Sequence, residues 1–284
     1  MIDFSKRLST LDRLQRSFRP TAFSYAVIKK YGEDHGGYQA ALMTYYGFLA
    51  LFPLLLILTT LLQWLPGSGS HVRSRIITDA TNYFPIIGTQ LQHSVHGFSK
   101  TGLPLLIGLV ILLYGARGVA DAFRHTANNV WRIPLNKRSG FWPALTKNYS
   151  IVFGGGAGFL AAAVAASYAG GAGHNYGLRI LFLAVNLTLL FVSFQFLMRV
   201  ALARKVRFRD IWVGAAVATV GLFILQNLGG YIITHELKNL DSLYGTFAVV
   251  LGLLFWLYLQ TQLVVYAMEI DTVRVLKLWP RSLR

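Results

Sequence analysis

Six apolar stretches, each about twenty residues or longer, divide the chain between residues 40 and 268. A run of that length is what an α-helix needs to cross a hydrocarbon core of about 30 Å. Within lipid, only helices and closed barrels satisfy their own backbone groups, and long unbroken apolar runs point to the helix. The runs lie at 40–65, 103–123, 151–171, 178–198, 212–234 and 243–268. Charged or turn-rich segments part them: Pro66-Gly67-Ser68-Gly69-Ser70 after the first, residues 170–177 after the third, and Arg204-Lys205-Val206-Arg207-Phe208-Arg209 after the fourth. The predicted fold class is an all-α integral membrane protein, a bundle of six transmembrane helices. A soluble fold fails on composition, because charged residues make up 13% of the chain and apolar ones 54%, whereas soluble domains carry roughly 25% charge to hydrate their surfaces. The chain has no cysteine, which excludes disulfides, thiolate metal sites and cysteine nucleophiles.

The positions of Lys and Arg give the bundle a direction. Residues 1–39 hold seven, 124–150 five, 199–211 five and the tail beyond 268 four. The alternating loops hold only Arg73, Arg75, Lys100, Arg179 and Lys238, and Arg117 alone falls inside a span. Cytoplasmic loops retain the positive excess, so both termini are predicted to be cytoplasmic. The formal net charge of +16 then reads as a topology signal and needs no nucleic acid to explain it. The expected partners are membrane lipids, whose anionic inner-leaflet headgroups attract juxtamembrane cations by about 1 kcal/mol each. A homo-oligomer is a further expectation.

Three regions follow from this segmentation: a cytoplasmic arm at 1–39, the transmembrane domain at 40–271 and a basic cytoplasmic tail at 272–284. In the arm, Leu8, Leu11, Leu14 and Phe18 recur at helical spacing opposite Arg7, Arg13 and Arg16, and Pro20 closes the pattern. This predicts either an amphipathic helix on the inner leaflet or a solvated arm. In the first outer loop, 66–102, Ile76, Ala80, Tyr83, Ile87, Leu91 and Val95 repeat every three to four residues across Pro85, predicting two short surface helices. The arm lacks the apolar core of a secretory signal, so no cleavage is expected.

Ionisable groups inside hydrocarbon are expensive, so each one calls for a partner or a task. Arg117 and Asp121 stand at i,i+4 in the second span, where they can neutralise one another. Glu269 closes the sixth span at the same edge of the membrane, with Tyr45 and Tyr46 opening the first and Asn128 just beyond the second. These six residues are the candidate binding site, lining an inward-facing vestibule. The competing reading makes Arg117 and Asp121 a structural pair and the tyrosines interface anchors. Pro53 interrupts the first span and Gly154, Gly155 and Gly156 open the third; these are candidate hinges, although a kinked proline also occurs in static bundles and small residues also serve close helix packing.

Enzyme signatures are missing. The seven histidines form no metal-binding cluster, and no nucleophile elbow or Walker motif occurs. No catalytic residue, metal or cofactor is expected, and the chain is read as a non-enzyme.

Three segments resemble the YihY/BrkB family of bacterial inner-membrane proteins, formerly labelled ribonuclease BN. They are Tyr38-Gln39-Ala40-Ala41-Leu42-Met43-Thr44-Tyr45-Tyr46 leading to Leu51-Phe52-Pro53-Leu54, then residues 113–121 running to Asn128-Asn129-Val130-Trp131, and Tyr244-Gly245-Thr246-Phe247-Ala248 followed by Leu254-Phe255-Trp256-Leu257-Tyr258 and Ala267-Met268-Glu269-Ile270. The family usually has Gly-Ala-Glu where this chain has Ala267-Met268-Glu269. The resemblance implies a six-helix protein of the bacterial cytoplasmic membrane and links it to the envelope. The expected function is transport or flipping of a lipid or other anionic amphipathic molecule, with Arg117 binding its anionic group and Asp121 and Glu269 holding Arg117. A non-transporting envelope scaffold is the alternative, and an RNA-processing nuclease a third reading that lacks its metal site.

Overall fold

The computed structural model describes residues 18–64, 103–171, 175–232 and 246–282, with side chains described over 18–51, 106–169, 175–228 and 250–282. All regular structure among the described residues is helical. The elements are α1 (Arg19–Glu33), α2 (Gly36–Trp64), α3 (Leu103–Val130), α4 (Phe141–Ser150), a π-helical turn (Ile151–Gly155), α5 (Gly156–Gly171), α6 (Tyr176–Ala201), α7 (Phe208–Ile232) and α8 (Thr246–Val275), with a short 3-10 turn at Leu135–Lys137.

Five helical segments among the described residues are long and apolar enough to cross a membrane: Leu106–Val130, Phe141–Ala169, Tyr176–Ala201, Phe208–Leu228 and Val250–Val275. The first expected span, 40–65, falls in α2, whose side chains from Phe52 onward lie outside the described set, so the described residues support five of the six expected spans. Two helices run past the expected span boundaries. The second span continues as helix to Val130, because Ala120, Phe123, Ala127 and Val130 keep an apolar stripe buried beneath its charged face. The third begins at Phe141, since α4, the π-turn and α5 follow one another without a break.

The arm differs more. Residues 1–17, and with them most of the amphipathic stripe, lie outside the described set, as do the helices expected in 66–102. Pro20 does not close a helix; it sits in the first turn of α1, where its missing N–H leaves no helical bond unmade. α1 ends in a tight turn at Asp34 and His35, and His35 takes a positive φ of 52° before α2 starts at Gly36. A Cβ on Gly36 would meet the Tyr31 ring, so this turn requires glycine.

Helices adjacent in sequence pack together, α2 on α3 and α5 on α6, while α8 closes the bundle against α1, α2 and α7. Small residues set these contacts, as lipid-embedded helices require. Gly115 faces Ala50 at 3.1 Å from a would-be Cβ, Gly155 faces Leu197 at 2.6 Å, and Gly221 faces Leu263 at 2.7 Å. The principal apolar core gathers at one end of the bundle, from Ala40 and Met43 on α2, Ala120 to Val130 on α3, Phe194 to Ala201 on α6, Ile211 to Ala218 on α7 and Val265 to Met268 on α8.

That end is also where the cation-rich segments meet. Lys147 donates to the Leu202 carbonyl at 3.0 Å, Arg204 lies 5.3 Å from the Trp131 ring, and Arg274 donates to the Arg209 and Asp210 carbonyls, each at 2.8 Å. Segments that the charge pattern assigns to one side of the membrane thus touch one another.

Candidate functional site

Two polar clusters form at the basic end where one was expected. In the first, Asp121 on α3 accepts a hydrogen bond from Arg124 at 2.6 Å and another from Asn148 of α4 at 3.1 Å, and His125 stands 3.8 Å away. Arg124 also donates to Asn148 Oδ1 at 3.1 Å and is itself buried. The expected Arg117–Asp121 pair is therefore replaced. Asp121 reaches along the helix to i+3 because Arg124 and Asn148 converge there from two helices.

In the second cluster, Glu269 on α8 is fully buried and accepts from Lys30 Nζ at 2.7 Å. Lys30 belongs to α1 and is also fully buried; its remaining hydrogens go to the Val130 carbonyl at 2.9 Å and to Asp34. Glu269 therefore holds Lys30 rather than Arg117. Sequence reasoning missed Lys30, although a signal existed: Ala22, Ala26 and Lys30 fall at four-residue steps along the buried face of α1. One oxygen of Glu269, Oε1, is buried and accepts no hydrogen bond from the described residues.

A comparable clasp, also unforeseen, joins α7 to α8. Asp271 Oδ1 accepts from the backbone N–H of Gly214 at 2.8 Å, and Arg274 adds a contact at 3.4 Å. A side chain at position 214 would collide with Asp271 and with the Ala267 carbonyl, so glycine is what lets the carboxylate reach the α7 backbone.

Outside the spans, Glu33 accepts from Arg281 of the tail at 2.6 Å and faces Arg132 at 3.8 Å. The Arg281 hydrogen bond holds the Glu33 carboxyl below its ordinary range, with the charges of Arg281, Lys29 and Arg132 adding to it. Tyr31 stacks on Tyr266 with centroids 4.0 Å apart, and burial pushes its hydroxyl pKa up.

Each remaining candidate has a definite place. Arg117 lies thirteen residues before the end of α3, about 20 Å at 1.5 Å per residue. It is half-buried and has no ion-pair or hydrogen-bond partner among the described residues. Tyr46 packs on Gly118 of α3, where no Cβ fits, while Tyr45 is 56% exposed on the neighbouring face of α2. Asn128 is a structural tie, donating to the Arg124 and Ala201 carbonyls and accepting from the Ala203 N–H at 2.8 Å.

Among the candidate hinges, α2 runs as helix through Pro53. Gly154 and Gly155 fall within the π-turn, against Phe196 and Leu197 of α6, and Gly156 begins α5 with open space around it. Among the described residues no three His, Asp or Glu side chains group as metal ligands.

The family model described as Virulence factor BrkB matches residues 27–278. A UPF0761 membrane protein of Chromohalobacter salexigens is 27% identical over 256 residues, covering 86% of this chain and 61% of the relative. UPF0761 membrane protein PsycPRwf_0630 of Psychrobacter is 24% identical, covering 86% of this chain and 47% of its own length. The chain thus spans between about half and three-fifths of these two relatives. Putative ribonuclease-like protein YfkH of Bacillus subtilis is 24% identical over 89% of this chain and 94% of its own length. No solved structure matches.

Proposed function

The chain belongs to the BrkB virulence-factor family of multi-pass membrane proteins, and from that premise we propose that it is a non-enzymatic transporter or flippase-like protein of the bacterial cytoplasmic membrane. Its substrate is a lipid or another anionic amphipathic molecule of the envelope, and both termini lie in the cytoplasm.

One observation carries this reading: Arg117 lies within a helix long and apolar enough to cross a membrane, half-buried, while every carboxylate expected to neutralise it is engaged elsewhere. A guanidinium cannot shed its charge, and one held in hydrocarbon without a partner costs about 2.5–3.5 kcal/mol on insertion scales. An anionic substrate group removes that cost and gains bidentate hydrogen bonds. The helix pairs that would move rest on small-residue contacts, and the π-turn at Ile151–Gly155 lies at the glycine-rich start of the third span. Such turns recur at functional sites.

The test is reconstitution into vesicles carrying tail-labelled phosphatidylglycerol, with quenching of the outer leaflet. Wild-type protein should expose inner-leaflet label to the quencher and Arg117→Gln should not. Wild-type protein that moves no label, or a variant that moves it equally well, would contradict the reading.

A further inference from the structure

We propose that the exposed face of α3, between α2 and α4, is a lateral track for lipids with anionic headgroups, entered sideways from the membrane rather than through a vestibule inside the bundle.

The track begins with helical spacing. Arg117, Asp121, His125 and Asn129 follow one another at four-residue steps, so they form one slowly turning stripe along α3. The stripe is open: the side chains of Asp121 and His125 are 44% and 48% exposed, and Asn129 is exposed as well. Asp121 and His125 belong to a helix long and apolar enough to cross a membrane, Leu106–Val130. A carboxylate and an imidazole that open are costly beside acyl chains, so water or lipid headgroups face this stripe.

Two walls define where that matter sits. On one side α3 packs against α2, with Tyr46 seated on Gly118; on the other Asn148 of α4 bonds Asp121 and Arg124. Both walls pack on α3, and no extensive interface joins α2 to α4 among the described residues. The polar stripe is thus the floor of a groove open to the side.

Charge selects the occupant. Arg124 neutralises Asp121 from behind, which leaves Arg117 in excess among the described residues of the groove, with Arg138 at its mouth beside His125 and Asn129. Arg138 is anchored there by donating to Asn129 Oδ1 at 2.6 Å and to the Ile133 carbonyl. A second copy docking by two-fold symmetry would set this positive stripe against itself, whereas a phosphate or carboxylate headgroup complements it. Tyr45 and Tyr114, both exposed, supply apolar surface for acyl chains beside it.

This inference gives the proposed transport its site and ligand class, but the experiment reads occupancy and not movement, so the two can fail separately. Protein purified in detergent is exchanged against phosphatidylglycerol or phosphatidylcholine and retained lipid is counted by native mass spectrometry. The expected result is preferential retention of phosphatidylglycerol that falls about tenfold in Arg117→Gln, the worth of one charge-assisted contact, and is unchanged in the off-groove control Lys205→Gln. A photo-reactive phenylalanine analogue in place of His125 should capture phosphatidylglycerol in otherwise wild-type protein, which keeps the test independent of how Arg117→Gln folds. Equal retention of the two lipids, no effect of Arg117→Gln, or protein dimers in place of lipid adducts at position 125 would overturn the proposal.

Discussion

Lys30 on α1 and Glu269 on α8, separated by most of the sequence, meet at 2.7 Å with no exposure of either side chain. The contact ties the helix that precedes the first span to the end of the last. Removing Lys30 leaves the buried Glu269 charge uncompensated, which costs about 3–5 kcal/mol in comparable pairs, whereas removing Glu269 leaves Lys30 with Asp34. Lys30→Met should lower the thermal midpoint in detergent steeply and Glu269→Leu by less, and the double variant should recover a substantial part of the Lys30→Met loss. Additive losses in the double variant would show that the two do not act as a pair.

Arg117 and Arg124 should separate site from scaffold. Arg124 bonds Asp121 and Asn148 and ties α3 to α4, so Arg124→Gln is expected to cost roughly 1.5–3 kcal/mol, the range for a hydrogen bond to a charged group. Arg117 makes no such bond among the described residues, so Arg117→Gln, which removes an uncompensated charge, should hold or raise the melting midpoint.

Glycines in this bundle should respond in opposite directions. Gly214→Ala places a methyl group against Asp271 and the Ala267 carbonyl, and overpacking of that kind costs about 1–3 kcal/mol. Gly156→Ala meets nothing within 4 Å and relieves the helical glycine penalty of about 0.5–1 kcal/mol, so its midpoint should rise. Melting curves of the two variants check both signs.

Glu33 gives the tail its pH dependence. Its carboxyl is held below the ordinary range by Arg281, so the bond's stabilisation is present above the unfolded-state carboxylate pKa, about 4.3, and is lost as pH falls through the lower folded value. Tail protection from proteolysis should therefore fall off below about pH 4, and Glu33→Gln should reduce protection at neutral pH.

The helical, membrane-spanning character of the chain was legible because long apolar runs admit few other structures, and the cation pattern anticipated which segments meet at one end. Legibility failed where partners come from distant helices. Asp121 has cations at both i−4 and i+3, and spacing alone does not choose between them; Asn148, on another helix, favours Arg124. Lys29 and Lys30 are adjacent in sequence, yet one reaches the Ser282 carbonyl of the tail and the other is buried against Glu269. The charged residues after Phe123 read as loop in the sequence, yet they form one face of a helix that runs on to Val130 and whose other face is core.

The central claim, that the polar floor of α3 between α2 and α4 holds an anionic headgroup, is tested most directly by a cryo-electron microscopy map of the protein in nanodiscs containing phosphatidylglycerol. The account predicts headgroup density within hydrogen-bond distance of Arg117, with its acyl chains leaving sideways past Tyr45 and Tyr114. A groove closed by protein, or Arg117 paired with a carboxylate of its own chain, would contradict it.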